Sequence, residues 1–329
     1  VADLFAKIFK NRDSDLKSRP NPENIVSRPN ILSEPLNIMV DEWFFISAYG
    51  IGDLYILLSL LAEFRRVHQA KRISIGIVKE SHRDLFDLFP GAADRYVMIG
   101  GKELKHCKST VLEPGRPIII HPKDLFGSSL MQLIGYKSLN IMDLYKVLLK
   151  LPLESRPAEP RRSNPENASI VDLHIKKKNL VPGRTILLAP DAFSYDVPPF
   201  DFDFWRTLSN SLMDRSYKIV VLSSQKKIKQ IKGVIPVYFP LREAIPFVEH
   251  CGFFIGNRSG FCDLISQSKA MKIFLYPRIP WYSGLLFEGS SLTRMGLANN
   301  NICEMEYDSD NWKEKIETIV GILGSENHE

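Results

Sequence analysis

Residues 43–58 read Trp43-Phe44-Phe45-Ile46-Ser47-Ala48-Tyr49-Gly50-Ile51-Gly52-Asp53-Leu54-Tyr55-Ile56-Leu57-Leu58. An aromatic-rich apolar run stops at Gly50, a glycine turn follows, and a second apolar stretch from Leu54 to Phe64 closes on Arg65 and Arg66. A continuous apolar run ended by a turn signal reads as a buried strand, and the longer run beyond it as a helix. Gly50 and Gly52 let backbone N–H groups approach a ligand closely. The helix that follows turns its positive end toward whatever sits there. Asp53 stands at the helix start, where two roles compete. It is either an N-cap for orphan N–H groups or a carboxylate at a cleft mouth that takes a proton from a substrate hydroxyl. Tyr55 occupies the place of the third glycine of the dinucleotide fingerprint, which argues against a dehydrogenase.

The pattern continues outward from this stretch. Over 37–152, strands are predicted at 42–49, 72–78, 95–99 and 117–121, and helices at 54–68, 81–89 and 141–151. Alternation of this kind implies parallel strands joined by crossover helices. The ligand edge then lies at the carboxyl ends of the strands. Gly50–Asp53 and His121-Pro122-Lys123 both fall at such ends, so His121 is a second cleft candidate, although a histidine ending a strand is more often structural.

Residues 153–182 mix Pro157, Pro160 and Pro165 with Arg156, Arg161, Arg162 and Lys176–Lys178, and read as a solvated interdomain linker. From 183 the alternation restarts and runs to 329. Strands are expected at 185–189, 218–222, 234–239, 253–255 and 272–276, with a last helix over 312–323 crossing back onto the first domain. Asn257-Arg258-Ser259-Gly260 again leaves a short apolar strand and opens a helix. A guanidinium, the Ser259 hydroxyl and backbone N–H groups converging there suit a diphosphate or another anion. The plainer account makes Ser259 a cap and leaves Arg258 in solvent. Asp263, one turn into the helix, either pairs with Arg258 or touches a sugar hydroxyl. Pro190-Asp191-Ala192-Phe193-Ser194-Tyr195 follows the 185–189 strand and is a weaker phosphate-loop candidate through Ser194.

The bulk numbers agree with a two-domain globular chain of 329 residues, 44% apolar and 25% charged, with a formal charge of +5. That charge favours anionic ligands only mildly, and no basic run alternates with aromatics as in a nucleic-acid arm. Cys107, Cys251, Cys262 and Cys303 form no C-x-x-C pair and no convincing metal set. They read as reduced thiols of a cytoplasmic protein. Neither a signal peptide nor a membrane-length apolar run is expected from the residues given. Residues 1–36 are peripheral: 1–10 form a short amphipathic helix, followed by a proline-punctuated stretch. Two roles are open to that helix, packing on its own protein and resting on the inner face of a membrane.

Three pieces together resemble glycosyltransferase family 9, the lipopolysaccharide heptosyltransferases of the GT-B type. Gly50-Ile51-Gly52-Asp53 with its leucine-rich helix is similar to the family's N-terminal GxGD segment. Leu187-Leu188-Ala189-Pro190-Asp191-Ala192 resembles the strand and proline-small loop that opens the C-terminal domain. Leu241 to Asp263 resembles its leucine-rich helix, strand and DSG turn. The resemblance covers most of 40–280. It implies an α/β chain of two Rossmann-like domains facing across a cleft: 37–152 for the acceptor, 183–329 for the nucleotide sugar. It further implies metal-independent, inverting sugar transfer without a cofactor, from a nucleotide-sugar donor to a saccharide or glycolipid acceptor. Asp53 would be the general base, with Gly50, Gly52 and His121 on the acceptor side. The third motif implies donor contacts from Ser259 and Gly260, to which the strand-end readings above add Pro190, Asp191, Ser194, Asn257, Arg258 and Asp263 as donor candidates. Three departures fall on donor positions. Arg258 stands where the family has aspartate, Asp263 where it has histidine, and 196–204 offers no counterpart of the family's loop lysine. Arg258 is therefore expected to replace that lysine at the diphosphate. The donor also need not be ADP-heptose. The rival readings are a GT-B enzyme using a CMP- or GDP-sugar with another base, and a nucleotide- or glycan-binding protein without catalysis.

Overall fold

A computed structural model describes residues 36–107, 111–124, 139–162, 168–192, 202–281, 284–308 and 310–325. The amphipathic piece at 1–10 and the loop residue Ser194 lie outside them. The chain forms two compact units, the first ending at Ala158 and the second beginning at Glu159, with Gly284 grouped with the first.

The first unit is built on a four-stranded parallel sheet. Its strands are β1 (Glu42–Ser47), β2 (Arg72–Ile77), β3 (Arg95–Met98) and β4 (Pro117–Ile119), in the order β3-β2-β1-β4. β1 is central because it is apolar on both faces; Phe44, Phe45 and Ile46 are each no more than 1% exposed. A strand covered on both sides reads as one continuous apolar run rather than an alternation. Helix α1 (Ile51–His68) covers it, placing Leu54, Leu57, Leu58, Leu61 and Phe64 at 0% exposure. The Phe64 ring meets Trp43 and Phe45 edge-on at 5.0 and 5.2 Å.

Two expectations shift here. The helix begins at Ile51 rather than 54, so Gly50 is the N-cap and Asp53 the third helical residue. The predicted helix at 81–89 is a 3-10 segment, Glu80–Leu88, whose buried residues are His82, Leu85 and Leu88. Spacing of three puts those side chains on one eclipsed face, the periodicity of a 3-10 rather than an α-helix. A short α2 (Gly101–His106) was not expected, and α3 (Ile141–Leu148) packs on α1.

The second unit carries a six-stranded sheet, parallel throughout. Its strands are β5 (Thr185–Ala189), β6 (Lys218–Val221), β7 (Ile235–Pro236), β8 (Gly252–Asn257), β9 (Met271–Pro277) and β12 (Ile302–Tyr307), with β10 (Pro280–Trp281) and β11 (Gly284–Leu285) standing apart. The order is β12-β9-β8-β5-β6-β7. Helices α4 (Ala168–Lys177), α5 (Phe202–Met213), α6 (Lys226–Lys229), α7 (Ala244–Cys251), α8 (Gly260–Ile265), α9 (Leu286–Ser290) and α10 (Trp312–Ser325) complete it. Part of the stretch read as linker is thus a helix, with Val171 and Ile175 buried. α10 packs on α5 of its own unit, where Ile316, Ile319, Val320 and Leu323 join the core. β12 escaped the sequence reading because it is a half-exposed edge strand with two glutamates, ICEMEY.

Both sheets share one topological feature. In the first unit the chain runs outward from β1 to β2 and β3, then returns to β4 on the other side of β1. In the second it runs from β5 to β6 and β7, then returns to β8 on the other side of β5. Adjacent strands whose connections leave in opposite directions open a crevice at their carboxyl ends. The β1–β4 and β5–β8 ends carry the residues singled out above. At the second of these, a Cβ on Gly256 would lie 2.9 Å from the Ala189 carbonyl oxygen. Glycine is therefore what lets β8 lie against β5.

Candidate active site

At the β1–β4 edge the Asp53 carboxylate is gripped from three sides. The Gly50 N–H donates to Oδ2 at 3.1 Å and the Tyr145 hydroxyl donates to Oδ1 at 3.0 Å. His121 Nε2 lies 3.4 Å from Oδ1. Asp53 therefore serves its helix end and still faces outward: its side chain remains 24% exposed, against 9% for His121. Gly50 and not Asp53 holds the N-cap position, and the Asp53 side chain accepts the cap N–H from the third helical place.

The geometry constrains the protons. His121 Nδ1 accepts the Lys123 N–H at 3.2 Å, so in the neutral ring the proton sits on Nε2 and points at Asp53. A protonated ring gives up the Lys123 bond and gains an ion pair, again with Nε2–H toward Asp53. Burial alone would raise the Asp53 carboxyl. The His121 charge and the hydrogen bonds from His121, Tyr145 and Gly50 outweigh it and hold the group below the usual aspartate range. Burial, then the neighbouring Asp53 charge, push the Tyr145 phenol well above its ordinary value, so it remains a donor.

The supports of this cluster come from distant parts of the chain. Tyr145 is 0% exposed on α3, whose start is fixed by reciprocal bonds between Asn140 and Asp143. Tyr49 stacks on His121 at 4.0 Å between centroids and donates its hydroxyl to Asp124 at 2.7 Å. His82, on the 3-10 segment after β2, is 1% exposed, and its Nδ1 has no hydrogen-bond partner among the described residues. Burial, with the Lys79 charge, pushes it down to about 4, while Asp53 pulls the other way. Sequence reading named Asp53, Gly50, Gly52 and His121 but missed Tyr145, Tyr49 and His82. An aromatic residue within a helical apolar pattern carries no mark of pointing at a carboxylate 92 residues away.

The β5–β8 edge is organised differently. Arg258 was expected to front a diphosphate, yet it is 4% exposed and turned inward. Its NH2 and NH1 donate to Asp263 Oδ1 and Oδ2 at 2.6 and 3.1 Å, NH1 to the Ser259 carbonyl at 2.5 Å, and Nε to the Ser290 carbonyl at 2.8 Å. A buried guanidinium must find its acceptors inside. The nearest carboxylate is one helical turn on, so Arg258 and Asp263 neutralise each other. Of the two roles open to Asp263 in the sequence, the structure shows the pairing with Arg258, and the two form an internal bidentate pair. The Ser290 carbonyl leads on to Tyr276, and Tyr276 donates to Glu304 of β12.

Asp191 is likewise occupied. Its Oδ1 accepts from Ser223 Oγ at 2.8 Å and Gln225 Nε2 at 3.0 Å; its Oδ2 accepts from the Ser224 N–H and Oγ at 2.5 and 2.8 Å. It pins the loop after β6 rather than presenting a bare carboxylate. Asn257 Nδ2 donates to the Pro190 carbonyl at 2.6 Å, tying the two strand ends together. Its Oδ1 is buried with no hydrogen-bond partner among the described residues. Ser259 has extended backbone at the N-cap place, but its hydroxyl makes no cap bond; it lies 3.8 Å from Cys262 Sγ. Of the described donor-side candidates, only Arg258 and Asp263 are committed to an ion pair. Among the described residues, no group of three His, Cys, Asp or Glu is placed to hold a metal, and no helix is long and apolar enough to cross a membrane.

No protein-family profile and no curated protein sequence matches the chain. Solved structures do. The E. coli ADP-heptose lipopolysaccharide heptosyltransferase II superposes with a TM-score of 0.61 at 13% identity, over 86% of this chain and 99% of that one. A glycosyltransferase family 9 protein from Veillonella parvula gives 0.59 at 14%, over 87% and 99%. The chain has the GT-B glycosyltransferase fold. The E. coli heptosyltransferase WaaC with ADP gives 0.50 at 11%, over 86% and 99%. At such identities the likeness concerns the GT-B fold, and the side chains argue their roles on their own geometry.

Proposed function

We propose that the protein transfers a sugar from a nucleotide-sugar donor to a hydroxyl of a saccharide or glycolipid acceptor, in bacterial surface polysaccharide or glycoconjugate synthesis. The observation that carries this reading is the Asp53 carboxylate: ionised, one quarter exposed, and held at a sheet switch point by Gly50, His121 and Tyr145. The acceptor binds on the first unit with its hydroxyl against Asp53. As the hydroxyl oxygen attacks the anomeric carbon, its proton passes to the carboxylate and the bond to the nucleotide diphosphate breaks. The anomeric configuration inverts. His121 Nε2–H and the Tyr145 hydroxyl orient the carboxylate; with both ring nitrogens engaged, His121 is a positioning residue rather than the base. The donor binds at the β5–β8 edge, where Ser259 and Gly260 face the departing phosphate. The reaction uses no metal, and its place is the cytoplasm or the inner membrane face. Two structures of this fold support the donor class, being described as an ADP-heptose transferase and as a heptosyltransferase holding ADP.

Asp53→Asn and Asp53→Ala are the direct test. Transfer should fall at least ~100-fold while the fold persists. Unimpaired transfer by either variant would refute the assignment. Turnover undiminished by a chelator, and a product of inverted anomeric configuration by NMR, would support the remaining particulars. Binding without turnover over a panel of nucleotide sugars and acceptors would favour the non-catalytic rival.

A further inference from the structure

The groups that fix the His121 ring come from two strand ends. Tyr49 lies just beyond β1, and His121 just beyond β4. A helical turn opens at Pro122, and His121 caps it: Nδ1 accepts the Lys123 N–H at 3.2 Å. Asp124 stands at the third place of that turn, with its N–H on the His121 carbonyl at 3.1 Å. Tyr49 reaches across from the β1 end and touches both. Its ring lies on the His121 ring, 25° from parallel with centroids 4.0 Å apart, and its hydroxyl donates to Asp124 Oδ2 at 2.7 Å. Burial and the Asp53 charge are the first causes that push the Tyr145 phenol up; Tyr49 and Asp124 add to them, and so belong to the same cluster.

Both nitrogens of the His121 ring act in its plane. Turning about the Cβ–Cγ bond takes Nδ1 off the Lys123 N–H and Nε2 off Asp53 together. A stacked ring opposes that turn, most firmly when its own far end is tied, and Asp124 ties it. The arrangement also distinguishes the two Asp53 oxygens. A carboxylate oxygen offers two lone pairs. Oδ1 accepts the Tyr145 hydroxyl and faces His121 Nε2. Oδ2 accepts, among the described residues, the Gly50 N–H alone.

We propose that Tyr49 and Asp124 are positioning residues: they hold the Nε2–H of His121 on Oδ1 of Asp53, and so leave Oδ2 as the oxygen that takes the acceptor's proton. The acceptor O–H pair becomes the new bond to the anomeric carbon, the departing diphosphate keeps the electrons of the old bond, and Oδ2–H afterwards returns its proton to water. The Oδ2 assignment rests on the sugar-transfer reading; the state of His121 is read without turnover.

The test is nitrogen NMR of the full chain labelled at histidine, with His121 assigned by the signals lost in His121→Gln. At a pH high enough to leave the ring neutral, Nε2 should carry the proton and Nδ1 the lone pair. In Tyr49→Leu, which removes both stack and bond, the two tautomers should mix. Tyr49→Phe keeps the stack and loses the bond, as Asp124→Ala does, so their effects should not add when combined. Each of these two should lower kcat by about three- to tenfold at unchanged KM, the worth of one exposed hydrogen bond. Should thermal melting show Tyr49→Leu to be unfolded, Tyr49→Phe and Asp124→Ala carry the same measurement. A wild-type ring protonated at Nδ1, or a tautomer balance that the variants leave unmoved, would overturn the proposal even if Asp53→Asn abolishes transfer. A raised KM with kcat intact would overturn it too, by making Tyr49 a contact of the acceptor itself. A His121 that responds as stated in a protein that transfers no sugar would overturn the Oδ2 assignment together with the transfer reading, and support the hold on His121.

Discussion

The two glycine-bearing bends, Gly50–Asp53 and Asn257–Gly260, look alike in sequence and diverge in space. Each leaves a buried parallel strand at a sheet switch point and enters a helix. At the first, the acidic group stays 24% exposed and its partners are donors that orient it. At the second, the charged group is matched by a carboxylate five residues on, with both side chains at 4% exposure or less. The first bend leaves its charge partly exposed; the second neutralises its charge internally. Residue type at a strand end therefore says that a charge is present there, while its partner decides whether it is available.

The largest effect that can break this comparison is on stability. Arg258→Ala removes the bidentate partner of the buried Asp263 carboxylate, and should cost about 3–5 kcal/mol in denaturant unfolding. Replacing both residues with apolar ones of similar size should cost much less. If Arg258→Ala is well tolerated and instead weakens donor binding, the guanidinium faces the donor after all and the contrast collapses. Asp53→Asn should change stability by no more than about 1–2 kcal/mol, its loss appearing in turnover.

Next comes pH. The folded-state pKa of His82, about 4, lies below the ordinary 6.5, so the fold favours the neutral ring. Between pH 6.5 and 4 the unfolded chain binds a proton that the folded chain refuses. Stability should therefore be full above pH 6.5 and fall as pH drops toward 4, by roughly 3 kcal/mol if this group acts alone. His82→Gln should flatten that slope in unfolding curves taken across the range; an unchanged slope would remove the assignment.

The smallest effect sharpens the picture of the open bend. Tyr145→Phe removes one donor from the Asp53 anion. The acid limb of the pH–rate profile should move to higher pH, with a loss in kcat/KM of about tenfold or less. A merely structural role for Tyr145 would lower activity without moving the limb.

Much of the fold was legible because parallel strands buried on both faces write themselves as apolar runs, as Phe44–Ile46 and Ile186–Leu188 do. The 3-10 turn at Glu80–Leu88 and the edge strand β12 were not, the first because periods of 3 and 3.6 hardly separate over nine residues. β12 alternates polar and apolar as a half-exposed edge does, and ICEMEY matches no buried run. At the site, Asp53 and His121 were legible as polar residues at strand ends. Tyr145 was hidden in the apolar pattern of α3, and the inward turn of Arg258 depended on how deeply β8 and α8 are buried.

The sequence by itself determined the strands, the helices after them, the glycines where backbone must come close, and which charged residues stand at strand ends. These follow from local apolar periodicity and from the conformational freedom of glycine. Only the tertiary structure decided which charges find partners, because burial and the approach of residues tens of positions away set the cost of leaving each one alone. Asp53 was left facing solvent between donors, and Arg258 was closed upon Asp263, by packing that no local pattern records.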